Sequence, residues 1–101
     1  MRAEELKIGG KPDEFGPFCV YVLQMEGKRE FYIGHTKHLQ KRIEQHLRGE
    51  TRSLRGREII RVAHTEGFAT RAEAMRRERY FLKSSRGRAK LEVLIGEREG
   101  G

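Results

Sequence analysis

Glu78 is the most informative single residue of the sequence. On a helix running through residues 70 to 83 it projects between Ala74, Met75, Phe81 and Leu82, a carboxylate set in the middle of an apolar face. A buried, unpaired carboxylate is costly, so Glu78 needs a cation: an arginine or lysine of the chain, or a bound metal. A partly exposed glutamate or a plain buried ion pair accounts for the position equally well. Arg42 borders a second apolar stripe, Leu39, Ile43 and Leu47, and His46 follows one turn later on the same side. Both can lean over a cleft between helix and sheet, to neutralise charge or move a proton; a solvated arginine and a satisfied boundary histidine are the ordinary alternatives. Tyr21 and Tyr32 lie on two neighbouring extended segments, where phenols act as proton donors or simply pack across the strands. Gly34 permits close backbone approach by a ligand, or serves as a turn glycine.

Other chemistries lack their residues. The chain has one cysteine, Cys19, in an apolar run, where it reads as a small buried hydrophobe. His35-x-x-His38 has no second ligand pair, which argues against a structural zinc site. No phosphate-binding P-loop, dinucleotide-binding glycine motif or nucleophile elbow occurs, so there is no support for nucleoside-triphosphate hydrolysis, dinucleotide binding or serine-hydrolase chemistry.

The elements that must position these residues fit into 101 residues, one domain's worth. Phe18 to Met25 (FCVYVLQM) and Glu30 to Ile33 read as the strands of an antiparallel hairpin, turning at Glu26 to Arg29. Gly34 ends the second strand, Thr36 serves as N-cap, and residues 37 to 48 form an amphipathic helix closed by Gly49. Ile59 to Ala63 reads as a third strand, of undetermined direction, in a segment terminated by Gly67. Thr70-x-x-Glu73 is a capping box opening a helix to about Lys83. Ser84 to Arg88 then reads as a basic connector before a short apolar segment, Leu91 to Ile95. Residues 1–16 are expected to form a flexible arm, 17–95 the domain and 96–101 a flexible tail. The order strand, strand, helix, strand, helix points to an α/β or α+β layer structure.

Lys and Arg number 22 against 15 Asp and Glu, for a net charge of +7. That balance favours a polyanionic partner, although a basic surface without function accounts for it too. No window approaches the ~18 apolar residues of a membrane helix and the N-terminus lacks a secretory h-region, so a cytoplasmic protein with no membrane partner is expected.

Taken in order, Cys19-Val20-Tyr21, Tyr32-Ile33-Gly34, Arg42, His46 and Thr70-x-x-Glu73-Ala74-x-x-x-Glu78-x-x-x-Leu82-Lys83 resemble the GIY-YIG nuclease superfamily. The resemblance covers residues 18 to about 92. It extends to the small stand-alone bacterial members and to the catalytic domain of the excision-repair incision subunit. The runs Leu54-Arg55-Gly56-Arg57 and Leu82-Lys83-Ser84-Ser85-Arg86-Gly87-Arg88 are similar to stretches of the stand-alone members. Cys19 stands where the family name has its leading glycine, and the chain has no asparagine, which some branches use late in the domain.

The resemblance implies a three-stranded antiparallel sheet flanked by helices, with Tyr21, Tyr32, Arg42 and Glu78 converging on one cleft. It implies that Glu78 holds one divalent cation, Mg2+ or Mn2+, that Tyr32 acts as general base and that Tyr21 positions water or phosphate. His35 is then expected to contact the phosphate or relay a proton, and His46 to support the site as a proton shuttle. Gly34, Arg52, Arg55, Arg57, Lys83, Arg86 and Arg88 are the expected substrate-binding residues. The expected activity is metal-dependent endonucleolytic cleavage with little sequence specificity, on DNA in preference to RNA, in repair or processing, with no obligate protein partner. A binding module that keeps the scaffold without turnover is the alternative.

Overall fold

In the computed structural model, residues 16–27, 31–52 and 56–100 are described. Strands β1 (Phe18–Met25), β2 (Phe31–Thr36) and β3 (Ile59–Phe68) and helices α1 (Leu39–Leu47), α2 (Arg71–Lys83) and α3 (Ser85–Gly100) follow one another as β1, β2, α1, β3, α2, α3.

Strand β1 is apolar along nearly its whole length because both its edges and both its faces are covered. It is the middle strand of a sheet ordered β2-β1-β3, with both neighbours antiparallel. Side chains alternate between faces. Cys19, Tyr21, Leu23 and Met25 pack with Ile43 of α1 and with Ile59 and Val62 of β3. Val20 and Val22 pack on the other face with Ala74 and Phe81 of α2 and Leu91 and Ile95 of α3. Helices therefore lie on both faces of the sheet, the three-layer arrangement expected for the fold class. Burying Phe81 alone contributes roughly 2–3 kcal/mol to holding α2 in place.

Several boundaries differ from the sequence expectations. Strand β2 does not end at Gly34 but runs through it to Thr36. Thr36 is not the N-cap of α1: that position is His38, which makes no side-chain cap bond, and the Thr36 hydroxyl accepts the His38 N–H at 3.0 Å. The helix consequently begins at Leu39, while its end follows expectation, with Gly49 at positive φ after Arg48. Strand β3 continues past Ala63, and through Gly67, to Phe68, because its whole length pairs with β1.

The capping box of α2 is formed as expected: the Glu73 N–H donates to the Thr70 hydroxyl and the Thr70 N–H donates to the Glu73 carboxylate. The larger correction lies beyond it. Residues 84–88 are not a connector. Ser84 Oγ accepts the Gly87 N–H at 3.1 Å and caps α3, which continues to Gly100, so residues 96–100 are helical rather than tail. Gly87 belongs there because a Cβ would stand 1.8 Å from the Tyr80 carbonyl oxygen; only glycine lets α3 begin so close to the end of α2. The sequence hid the helix because Leu91, Val93 and Ile95 alternate like a strand, yet Val93 is exposed.

Candidate active site

Tyr21 reaches the site by lying across β2. The two residues Tyr21 and Gly34 are partners in the sheet register, and a Cβ on Gly34 would stand 2.6 Å from the Tyr21 hydroxyl oxygen. Gly34 is therefore neither a turn glycine nor bare backbone open to a ligand, because the phenol fills the space where its side chain would be. Tyr21 is 1 % exposed, and its hydroxyl is 2.8 Å from His46 Nε2. The other nitrogen of His46 is hydrogen-bonded to the Thr51 hydroxyl. The Tyr32 ring lies 6.2 Å from the Tyr21 ring and 5.2 Å, edge-on, from the His46 ring.

Arg42, one turn before His46 on α1, faces both phenols and also donates from Nη1 to Gln45 Oε1 at 3.1 Å. Burial pushes the Tyr21 phenol well above its ordinary range, against the opposing pull of Arg42. Tyr21 thus stays protonated. Burial, and secondarily the Arg42 charge, lower His46 from 6.5 to about 4, so its imidazole is neutral near neutral pH. Hydrogen bonding to Tyr21 raises the Arg42 guanidinium and keeps it a permanent cation.

His35 follows Gly34 and so points to the opposite face of β2, toward α2. Its Nδ1 is 3.1 Å from Glu78 Oε2, with the two side chains 21 and 23 % exposed. Glu78 is not in the middle of an apolar face. Ala74 and Phe81 are buried, whereas Met75 and Leu82 are exposed, which places Glu78 on the border between core and solvent. Glu78 and His35 therefore lie across β2, the edge strand of the sheet, from the Tyr21 cluster, and the Glu78 charge is the smallest of the influences on the Tyr21 hydroxyl.

The structure therefore brings Tyr21, Tyr32, Arg42 and His46 together on one face of β2 and His35 with Glu78 on the other. The basic residues are more scattered. Arg52 follows Thr51 directly, beside the His46 end of the cluster, and it and Arg57 are exposed; Arg55 lies outside the described residues. Lys83, Arg86 and Arg88 are exposed where α2 meets α3. Arg88 lines a cavity of about 330 Å³ with Gln24, Phe31 and Leu91, at the opposite end of the β1–β2 hairpin from Gly34, about 10 Å along β2.

Two features were not legible in the sequence. Nothing in the sequence ties the Thr51 hydroxyl to His46. Glu66 lies beyond the expected third strand and carried no signal, yet it takes Arg77 Nε at 2.7 Å on Oε1, with Arg77 Nη2 at 3.1 Å and His64 Nε2 at 2.8 Å on Oε2. Burial works to raise the Glu66 carboxyl, and the bonds from His64 and Arg77 outweigh it and hold it at about 2.

Among the described residues no three His, Cys, Asp or Glu side chains are grouped to hold a metal. Glu78 alone fits a hard cation that draws its other ligands from water and phosphate, as Mg2+ does. No helix among the described residues is long and apolar enough to cross a membrane.

Residues 17–91 match the family model of the GIY-YIG catalytic domain. A UPF0213 protein of Halobacterium salinarum is 38% identical over 77 residues, covering 75% of this chain and 96% of its own. One from Natronomonas pharaonis is 35% identical, covering 80% and 93%. The UPF0213 protein YazA of Bacillus subtilis is 33% identical, covering 72% and 74%. Their names state no activity. No solved structure matches the chain.

Proposed function

The chain belongs to the GIY-YIG catalytic domain family, and from that premise we propose that it is a divalent-metal-dependent endonuclease hydrolysing phosphodiester bonds in DNA, with little sequence specificity, in repair or processing. The observation that carries this reading is the placement, on the two faces of the edge strand β2, of two phenols packed with His46 one turn from Arg42 and of a carboxylate bonded by one histidine. The net charge of +7 supports a polyanionic substrate.

Each residue has a role its chemistry suits. Arg42, a cation with donors only, neutralises charge gathering on the non-bridging phosphoryl oxygens. Tyr21, kept protonated by burial, donates and positions rather than accepting a proton. Tyr32 is half-buried and is the phenol that water can reach. It serves as general base, a task for which a phenol of ordinary pKa ~10 needs neighbouring cations. Glu78 holds the cation, with His35 orienting its carboxylate. When bound, that ion polarises the scissile phosphate and stabilises the leaving oxygen. Arg52, Arg55 and Arg57 on one side, and Lys83, Arg86 and Arg88 on the other, track the flanking phosphates.

The test is cleavage of end-labelled single-stranded, duplex and forked DNA, and of RNA, with Mg2+ or Mn2+. Metal-dependent cutting of DNA by the wild type that disappears in Glu78→Ala and in Tyr32→Phe is the expected result. Salt-sensitive binding without turnover under either metal would instead make the chain a nucleic-acid-binding accessory module.

A further inference from the structure

The cavity of about 330 Å³ between the β1–β2 hairpin and α3 ends a line of residues that starts at Glu78. His35, Ile33 and Phe31 are alternate residues of β2 and share the side that faces the helices α2 and α3. His35 meets Glu78, Ile33 packs on the core between sheet and helices, and Phe31 lines the cavity. The two ends are about 13 Å apart at ~3.3 Å per strand residue. Nucleotides stacked along a strand are spaced at about 3.4 Å, so a strand with one phosphate at Glu78 brings another nucleotide to the cavity within about four positions.

The lining combines an apolar floor with polar groups that have unused capacity. Phe31 is half-buried: it packs against the core and keeps part of its ring toward the cavity, beside Leu91 and Ile95. Gln24 accepts Arg61 Nε on its Oε1 at 2.6 Å, and its amide N–H donors have no partner among the described residues. Arg88 and Glu92 stand one turn apart on α3, and among the described residues their side chains pair neither with each other nor with another group. An aromatic surface, N–H donors and a carboxylate acceptor thus line one opening. A planar ring with donors and acceptors on its edge and a phosphate behind it answers all of them. The ring stacks on Phe31, its N–H groups reach Glu92, its acceptors take the Gln24 amide, and the phosphate meets Arg88. The volume is at the small end of the range for ligand sites, as a single base requires.

We propose that this cavity is a nucleobase site, in which one base of the bound strand docks on Phe31 a fixed distance from the bond cut at Glu78. The proposal rests on the nuclease reading above for the class of ligand, and adds to it a device that sets the register of cutting. Stacking on an aromatic ring accepts any base, so the site is compatible with little sequence specificity.

The experiment compares full-length wild type, Phe31→Leu and Gly96→Met. Leucine keeps the apolar contact with the core and removes the aromatic face. Gly96 lines the cavity and a Cβ there meets no atom within 4 Å, so methionine obstructs the opening without straining α3. The first readout is binding, without divalent metal, of short oligonucleotides carrying 2-aminopurine, whose fluorescence falls on stacking. The second maps cleavage, with Mg2+ or Mn2+, of strands carrying one abasic nucleotide. Wild type should quench the probe, and both variants should lose the quench and bind about five- to a hundredfold more weakly, the usual range for one base–aromatic stack. In wild type the abasic nucleotide should suppress cutting at one fixed offset, and in the variants at none.

Variants that bind and quench like wild type, or wild-type cutting with no offset that the abasic nucleotide suppresses, overturn the proposal. A wild-type dimer that Gly96→Met splits into monomers would overturn it too, by making the cavity a contact between copies. Quenched binding that both variants abolish, with no cutting by wild type under either metal, would leave the base site standing and remove the nuclease reading.

Discussion

Two adjacent residues on α2, Arg77 and Glu78, serve opposite edges of the same sheet. Arg77 reaches β3 and closes on Glu66, which also takes His64. Glu78 reaches β2 and meets His35. Both corners contain a glutamate and a histidine on the same sheet face, and they differ in saturation. Glu66 has both carboxylate oxygens engaged by donors and is held at about 2, whereas Glu78 has one oxygen bonded and, among the described residues, no protein donor on Oε1. A carboxylate with donors on both oxygens is structural: it ties α2 to β3 and has most of its acceptor sites taken. An unsaturated one at the border of the core is free to take a cation.

The contrast is tested most severely by removing each glutamate in turn. Glu78→Ala should cut the cleavage rate by a factor on the order of a thousand, about 4 kcal/mol in the barrier, with its melting temperature close to wild type. Glu66→Ala should do the reverse. Leaving the Arg77 charge without its partner should cost about 3–5 kcal/mol in a denaturant titration, with the rate per folded molecule largely kept. A Glu66→Ala protein that is stable but inactive would place the β3 corner in the active site and dissolve the distinction.

Acid should separate the regions next. His46 is held at about 4 in the folded protein against an ordinary 6.5, so between those values the unfolded chain takes up a proton that the native ring refuses. Its contribution to stability is complete above pH 6.5 and lost as pH falls toward 4, with a slope of up to about 1.4 kcal/mol per pH unit. Glu66, at about 2 against 4.5, contributes stability that is complete above pH 4.5 and lost as pH falls toward 2. Urea titrations across this range should show both declines in wild type. In Glu66→Gln the lower one should vanish and the upper one persist.

The smallest effect concerns the scattered basic residues. Removing Arg52 or Arg57 should weaken duplex binding and reduce the slope of log K against log salt by about 0.9 for each phosphate no longer neutralised. A change in slope for Arg52→Ala with none for Arg88→Ala would mean that the substrate follows the α1 side of β2, not the groove beside Phe31.

What could be read from the sequence was what depends on neighbours along the chain. The hairpin, the capping box of Thr70 and Glu73, the apolar stripe of α1 and its closing Gly49 each express rules spanning at most a few residues. The ordered set of tyrosines, arginine, histidine and glutamate likewise pointed to the family. Reading failed where a local pattern was ambiguous, as in α3, whose Leu91, Val93 and Ile95 imitate a strand until Ser84 caps them and Gly87 admits the end of α2.

Only the tertiary structure decided that Tyr21 lies over Gly34 while His35 turns the other way, so that the site wraps around an edge strand. It alone joined Thr51 to His46, and it alone made Glu66 structural and left Glu78 available. These pairings join segments far apart in sequence. They depend on how strands twist and where helices cross them, and a side-chain pattern counted along one chain carries no record of which distant donor will reach which oxygen.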